Sequence, residues 1–358
     1  MFETEHTEKY YTSQAKFDRL FLRTGRQLGF TDAACTGPEA LKKWQTELRQ
    51  KLLEVSGITL QQKCEPYCEL IETKDMGCYV REKLLIKTEE DVYMPVYALV
   101  PKKKRQGSPC IIATHGHASC GKNAIAYRVE IPAVKRAVEE YNYTYGITLV
   151  NSGYTVFCPD ARGFGERRER SGQGDEPDKF TNSTCTVLNN VAISLGQSLT
   201  GLWIWDLMRL IDYIKSRPDT SDSAIGCIGL SGGGLQSLWL AALDERVALS
   251  VVSGYFYGVG DALLRFPENC SCNYVPGLWR IADMGDIGAL IAPRPLFIES
   301  ADADIYNGAG GLKNVEEQLN VTGKAYLALG ARERLEQAIC HGGHRWYGSA
   351  YNFIAKYM

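Results

Sequence analysis

A chain of 358 residues, 45% hydrophobic and 23% charged, has the composition of a globular protein with enough apolar material for a sizeable core. Its formal net charge of -2 excludes an electrostatic case for nucleic acid or an anionic membrane surface as partner. No apolar stretch approaches the roughly 18 residues of a membrane span, and the polar, acidic start Met1-Phe-Glu-Thr-Glu-His6 has no signal pattern, so a cytoplasmic location is expected.

The first sixty residues read as a helical extension ahead of a 61–358 domain. Leu41, Trp44, Leu48 and Leu52 fall on one helical face and Gly57 ends the run. So apolar a face needs covering, either by the main domain or by another copy of the chain. Tyr79 to Ile86 and Val92 to Val100 read as strands joined by the polar turn Lys87 to Asp91, a connection short enough to imply antiparallel pairing. Lys102-Lys-Lys-Arg105 reads as a solvated loop.

From Pro109 the pattern becomes the alternation of a mostly parallel sheet flanked by helices, an α/β fold. Strand Cys110 to Ala113, helix Tyr145 to Asn151, strand Tyr154 to Cys158 and a long helix through Trp203, Leu207, Leu210, Ile211 and Ile214 lead to strand Ala224 to Ile228 and helix Leu235 to Leu243. Strand Leu249 to Ser253, helix Ile287 to Ile291, strand Leu296 to Glu299, a helix near Gly311 to Leu319, strands Ala325 to Leu329 and Glu336 to Cys340, and a helix Ala350 to Lys356 follow. Two irregular segments, Phe164 to Thr186 and Tyr255 to Met284 (with Pro267 and Pro276), follow strands at their carboxyl ends, where such sheets bind ligands, and are expected to wall a pocket.

The chemistry centres on Gly229-Leu-Ser-Gly-Gly233 between a strand and a helix, the context of a nucleophile elbow. The alternative, a Gly-rich nucleotide-binding turn, lacks the lysine of a P-loop and the G-x-G-x-x-G spacing. A serine nucleophile needs a base and the base an orienting acid, in the chain order Ser, Asp or Glu, His. Only His341 and His344 follow Ser231. His344 is preferred because Gly342-Gly343 lets it swing over the elbow, with His341 as the alternative. For the acid, Asp304 is preferred to Asp302, being farther from its strand, and Glu299 is expected to be structural. The amides of Gly232 and His117 are the expected oxyanion donors. His115 and His117 otherwise read as loop-shaping residues. Trp279, Trp346 and Tyr347 could stack on a sugar ring or simply pack.

The twelve cysteines are scattered, and Cys110, Cys158 and Cys227 sit inside apolar runs, so they read as small buried hydrophobes. Cys64-x3-Cys68 and Cys270-x-Cys272 lack a matched second pair at zinc-ligand spacing. No metal and no cofactor are expected.

The motifs His115-Gly-His117, Asp160-Ala-Arg-Gly-Phe-Gly165, Gly229-Leu-Ser-Gly-Gly233, Ala292-Pro-Arg-Pro-Leu296 with Asp304, and Gly342-Gly-His344 resemble the α/β-hydrolase superfamily. More closely they look like its dienelactone-hydrolase-like and acetyl xylan esterase-like branch, over roughly Cys78 to Met358. The resemblance implies an α/β-hydrolase fold and a small ester substrate, often an acetylated sugar. It also implies Ser231 as nucleophile, His344 as base, Asp304 as acid and a structural Asp160–Gly165 turn. Dienelactone hydrolases use Cys where this chain has Ser231, which argues against that substrate. A peptidase of the same superfamily would add a propeller or lid domain that the residues before Pro109 cannot supply. The other alternative is an inactive hydrolase fold that serves as a binding protein.

Overall fold

The computed structural model describes residues 12–31, 37–174, 176–264 and 269–358. The expectations about Met1 to His6, the first residues of the leading helical region (Tyr10 and Tyr11) and Pro267 lie outside these. The strands are β1 (Cys68–Asp75), β2 (Tyr79–Glu89), β3 (Val92–Pro101), β4 (Cys110–Thr114), β5 (Thr155–Pro159), β6 (Ile225–Leu230), β7 (Val247–Ser253), β8 (Leu296–Ala301) and β9 (Leu335–Cys340). They form one nine-stranded sheet in the order β1-β2-β3-β5-β4-β6-β7-β8-β9. The pairings β1/β2, β2/β3 and β3/β5 are antiparallel, and those from β5 through β4 to β9 are parallel. Connection length explains the switch: β2 and β3 are joined by a tight turn at Asp91, whereas the later strands are joined through helical crossovers.

The central strands β4 and β6 are buried along their whole length. Their side chains alternate between two cores, Cys110 and Ile112 facing one and Ile111 and Ala113 the other. Helices Pro38–Val55, Leu199–Ser216, Gly232–Leu243 and Leu312–Ala328 cover the first core. Helices Pro132–Tyr141, Tyr145–Asn151 and Tyr351–Tyr357 cover the second.

Helix Pro38–Val55, which follows a first helix Thr12–Arg23, lies on the body of this same chain. It buries Leu41, Trp44, Leu48 and Leu52. Gln45 Nε2 donates to the carbonyls of Ala289 and Ala292, each at 2.9 Å, and Arg49 Nε to that of Ala242 at 3.0 Å. Polar anchors therefore fix the register that the apolar stripe leaves free.

Two elements differ from expectation. Strand β1 carried no apolar alternation because nearly all its residues are exposed; Glu69, Glu72, Lys74 and Asp75 charge an edge of the sheet, which discourages pairing with another chain. Residues Ala325 to Leu329 form no strand; helix Leu312–Ala328 runs through them to a turn at Gly330, where φ is 62°. Its buried positions Asn314, Val315, Gln318, Thr322, Ala325 and Tyr326 keep helical spacing. A five-residue apolar run is too short to carry a period, so the longer pattern decides.

Candidate active site

Strand β6 ends at Leu230 and helix Gly232–Leu243 begins at Gly232, leaving Ser231 alone in the turn. Its backbone sits at φ 60° and ψ -123°, a region disfavoured for any residue with a Cβ. Hydrogen bonds hold it there: Ser231 N–H donates to the Ser253 carbonyl at 2.8 Å, and Leu235 N–H donates to the Ser231 carbonyl at 2.9 Å. The two flanking glycines are required by space. A Cβ on Gly229 would stand 2.5 Å from the carbonyl carbon of Gly233 and 2.4 Å from Thr114 Oγ1; one on Gly233 would stand 2.4 Å from the Thr114 carbonyl oxygen. Gly232 is the first helical residue, so its N–H has no acceptor within the helix and lies at the positive end of the helix dipole.

Asp304 follows β8 and is buried. Its Oδ1 accepts from the Tyr306 N–H at 2.9 Å and its Oδ2 lies 2.7 Å from His344 Nδ1. A carboxylate only accepts, so Nδ1 carries the proton and Nε2 presents its lone pair. That Nε2 is buried and has no hydrogen-bond partner among the described residues. Tyr306 packs edge-on against the imidazole, with ring centres 4.7 Å apart. The chain beyond His344 is pinned by buried Glu299, which accepts from the N–H of Tyr347 and of Ser349 at 3.0 and 2.8 Å and from Ser253 Oγ at 2.7 Å.

The neighbouring candidates pair with each other. Asp302 Oδ2 lies 2.7 Å from His341 Nδ1, and the His341 side chain is 96% exposed. Two carboxylate–imidazole pairs thus arise from the same two loops, one in solvent and one inside. Of the two imidazoles, His344 lines the cavity that Ser231 lines.

That cavity has a volume of about 650 Å³. Both irregular segments wall it, the first through Ser183 and the second through Tyr255, Tyr257 and Asn273. Besides the imidazoles of His117 and His344, the rings that line it are tyrosines. Trp346 is fully buried and packs on Tyr145, and Trp279 stacks on Phe21 with centroids 4.3 Å apart, so both serve packing. Tyr347 donates through its hydroxyl to the Gly343 carbonyl at 2.8 Å.

His115 shapes the loop after β4. Its Nε2 accepts from the Ala161 N–H at 3.1 Å, so its Nδ1 carries the proton toward the Gly116 carbonyl at 3.0 Å. Burial holds this imidazole below its usual pKa, which keeps it neutral. In the Asp160–Gly165 turn, Asp160 accepts from Lys122 Nζ at 2.5 Å and from the Lys122 N–H at 2.7 Å, while Arg162 grips Asp206 with two bonds of 2.8 and 2.9 Å.

His117 departs from the loop-shaping expectation. Its carbonyl accepts from Tyr143 Oη at 3.0 Å, but its Nε2 faces Cys272 Sγ at 3.6 Å and Cys185 Sγ at 4.0 Å. Cys270 joins them, and the four ligand-type atoms all lie within 4.8 Å of one another. Cys270-x-Cys272 has no matched second pair along the sequence, as expected, and its neighbours in space are single residues. The partners come from two other segments, so no linear spacing could reveal them.

A mostly parallel sheet between two helical layers, with a strained serine at the strand-to-helix turn and an acid-bound histidine opening on the same cavity, defines the α/β-hydrolase class. The Abhydrolase family model matches residues 3–306, and the chain belongs to that family. It is 28% identical over 268 residues to YtaP of Bacillus subtilis (strain 168), covering 74% of this chain and 82% of that one. It is 31% identical over 188 residues to the 4-O-methyl-glucuronoyl methylesterase of Schizophyllum commune, covering 44% of this chain and 47% of that one. Among solved structures, a Bacteroides fragilis NCTC 9343 protein assigned as an acetyl xylan esterase superposes with a TM-score of 0.74 at 18% identity, covering 95% of this chain and 84% of the other. The glucuronoyl esterase from Solibacter usitatus does so with a TM-score of 0.61 at 15% identity, over 90% and 93%. Among the described residues no helix is long and apolar enough to cross a membrane.

Proposed function

We propose that this protein is a serine esterase that removes short acyl groups, acetyl foremost, from carbohydrate esters. The observation that carries the proposal is the buried Nε2 of His344, without a partner among the described residues, on an imidazole that Asp304 orients and that lines the cavity of the strained Ser231. Ser231 Oγ attacks the ester carbonyl while His344 Nε2 takes its proton. The N–H groups of Gly232 and His117 receive the oxyanion, and collapse of the tetrahedral intermediate expels the alcohol, protonated by His344. Water, deprotonated by the same Nε2, then frees the acid from the acyl-enzyme. Asp304 stays ionised and holds the tautomer.

The relatives named above include esterases that differ in which side of the ester the sugar supplies. The cavity lining favours the sugar as alcohol: beside His117 and His344 its described residues are five tyrosines, two asparagines, two serines, Cys270 and small or apolar residues, with no Lys or Arg to meet a carboxylate, which suits an acetylated sugar more than a uronate. Turnover of p-nitrophenyl acetate and of acetylated xylo-oligosaccharides by the wild type and by Ser231→Ala tests the proposal. The wild type should be faster by at least about 10³-fold. Equal rates would end the esterase reading and leave a binding role, and preference for a methyl glucuronate ester would reverse the assignment of the sugar.

A further inference from the structure

The side chains of His117, Cys185, Cys270 and Cys272 converge, and none of these side chains takes a step in the proposed ester chemistry, which uses only the His117 backbone N–H. His117 comes from the loop after β4, Cys185 opens helix Cys185–Ser194, and Cys270 and Cys272 bracket Ser271 in the second cavity wall. Their donor atoms are one imidazole nitrogen and three thiol sulfurs, with all four cysteine and histidine side chains buried or half-buried. Ordinary packing does not require three sulfurs and a ring nitrogen from three separate segments to point at one spot, and these thiols form no disulfide.

The distances discriminate further. Around a tetrahedral zinc, with Zn–S about 2.3 Å and Zn–N about 2.0 Å, neighbouring ligand atoms stand about 3.5 to 3.8 Å apart. The Nε2 separation of 3.6 Å to Cys272 Sγ falls within that range and that of 4.0 Å to Cys185 Sγ just outside it, and all four atoms lie within 4.8 Å of one another, about an ångström beyond the closed polyhedron at most. An outer donor is also in place. Asn273 Nδ2 lies 3.8 Å from Cys272 Sγ and donates to the Cys270 carbonyl at 2.9 Å, the kind of N–H group that steadies a ligating thiolate.

We propose that His117, Cys185, Cys270 and Cys272 bind one zinc ion as a closed Cys3His site. Thiolate and imidazole donors in a tetrahedron select zinc over hard divalent cations, and four protein ligands leave no open position, which marks the ion as structural. Binding displaces the thiol protons to solvent and ties together three segments far apart in the chain. Two of those segments wall the cavity, and the third carries the His117 amide. On the esterase reading the ion would therefore also position an oxyanion donor; the binding of zinc does not depend on that reading.

Metal analysis of the full chain, purified without a metal-affinity step and dialysed against zinc, tests this directly. About one zinc per chain is expected in both the wild type and Ser231→Ala, and less than about a tenth of that in Cys185→Ser/Cys272→Ser. Replacement by Co²⁺ in the wild type should give the visible bands and sulfur-to-metal charge transfer of tetrahedral thiolate ligation, a readout that needs no variant to fold. A folded wild type without zinc, full retention of zinc by the double variant, or a disulfide among these cysteines would overturn the site. Zinc retained by a wild type that turns over no ester would sink only the esterase reading, and an active, zinc-free wild type only this one.

Discussion

Asp302 and Asp304 stand two residues apart on one loop, yet one faces solvent beside His341 and the other is buried beside His344. The difference decides which imidazole is oriented inside the protein. Asn at 304 could donate to Nδ1 and so place the proton on Nε2, the wrong nitrogen for a base. On the proposed mechanism Asp304→Asn should therefore lower kcat for acetate esters by about 10⁴-fold with the fold intact, measured by steady-state kinetics beside circular dichroism. Asp302→Asn and His341→Ala should leave kcat within about twofold, because an exposed pair contributes little. A preference among these residues was what the sequence made legible, from their distance past the strand and from the glycines before His344. The pairing of the two alternatives with each other was not, because it depends on how two loops cross.

Helix Pro38–Val55 shows how much an apolar stripe conveys. The spacing of Leu41, Trp44, Leu48 and Leu52 identified the helix and its buried face, but the surface it covers was settled by Gln45 and Arg49 reaching carbonyls of distant segments. Leu48 is fully buried in that seam. Leu48→Ala should cost about 2 to 5 kcal/mol, read as a lower urea midpoint at unchanged slope. A smaller effect would mean that the helix detaches before the rest unfolds. The two misread elements fail for opposite reasons. Strand β1 is exposed on an edge and needed no apolar signature, and in Ala325 to Leu329 only Ala325 and Tyr326 are buried, on the inner face of the end of a helix, while Leu327 is exposed.

At the scale of the whole molecule, Asp206 is the charge that ties distant parts together. From helix Leu199–Ser216 it receives Arg162, and Arg167 at 2.6 Å, while Arg162 also reaches Glu89 at the end of β2. Burial opposes its ionisation, but the two guanidinium groups prevail and hold its carboxyl well below the usual carboxylate range. The native state therefore binds this proton less readily than the unfolded chain. The resulting stability is fully present above about pH 4 and is lost as pH falls further. Asp206→Asn should destabilise the protein at pH 7 by about 3 to 5 kcal/mol, since it leaves the buried Arg167 guanidinium without a carboxylate and Arg162 with Glu89 alone. Its unfolding midpoint should also fall less steeply below pH 4 than that of the wild type. A variant with the wild-type acid profile would show that other carboxylates govern acid unfolding.

Read by itself, the chain determined the alternation of strands and helices, the glycine-flanked serine turn and the short roster of residues able to serve it. Each of these is written in local periodicity or in a steric demand within five residues. The tertiary structure alone decided which acid meets which imidazole, what the leading helix covers, and that His117 and three cysteines spread over more than 150 positions share one point in space. Those outcomes rest on the paths of loops and the seating of one layer on another, which are set by contacts between segments that carry no mark of each other in the sequence.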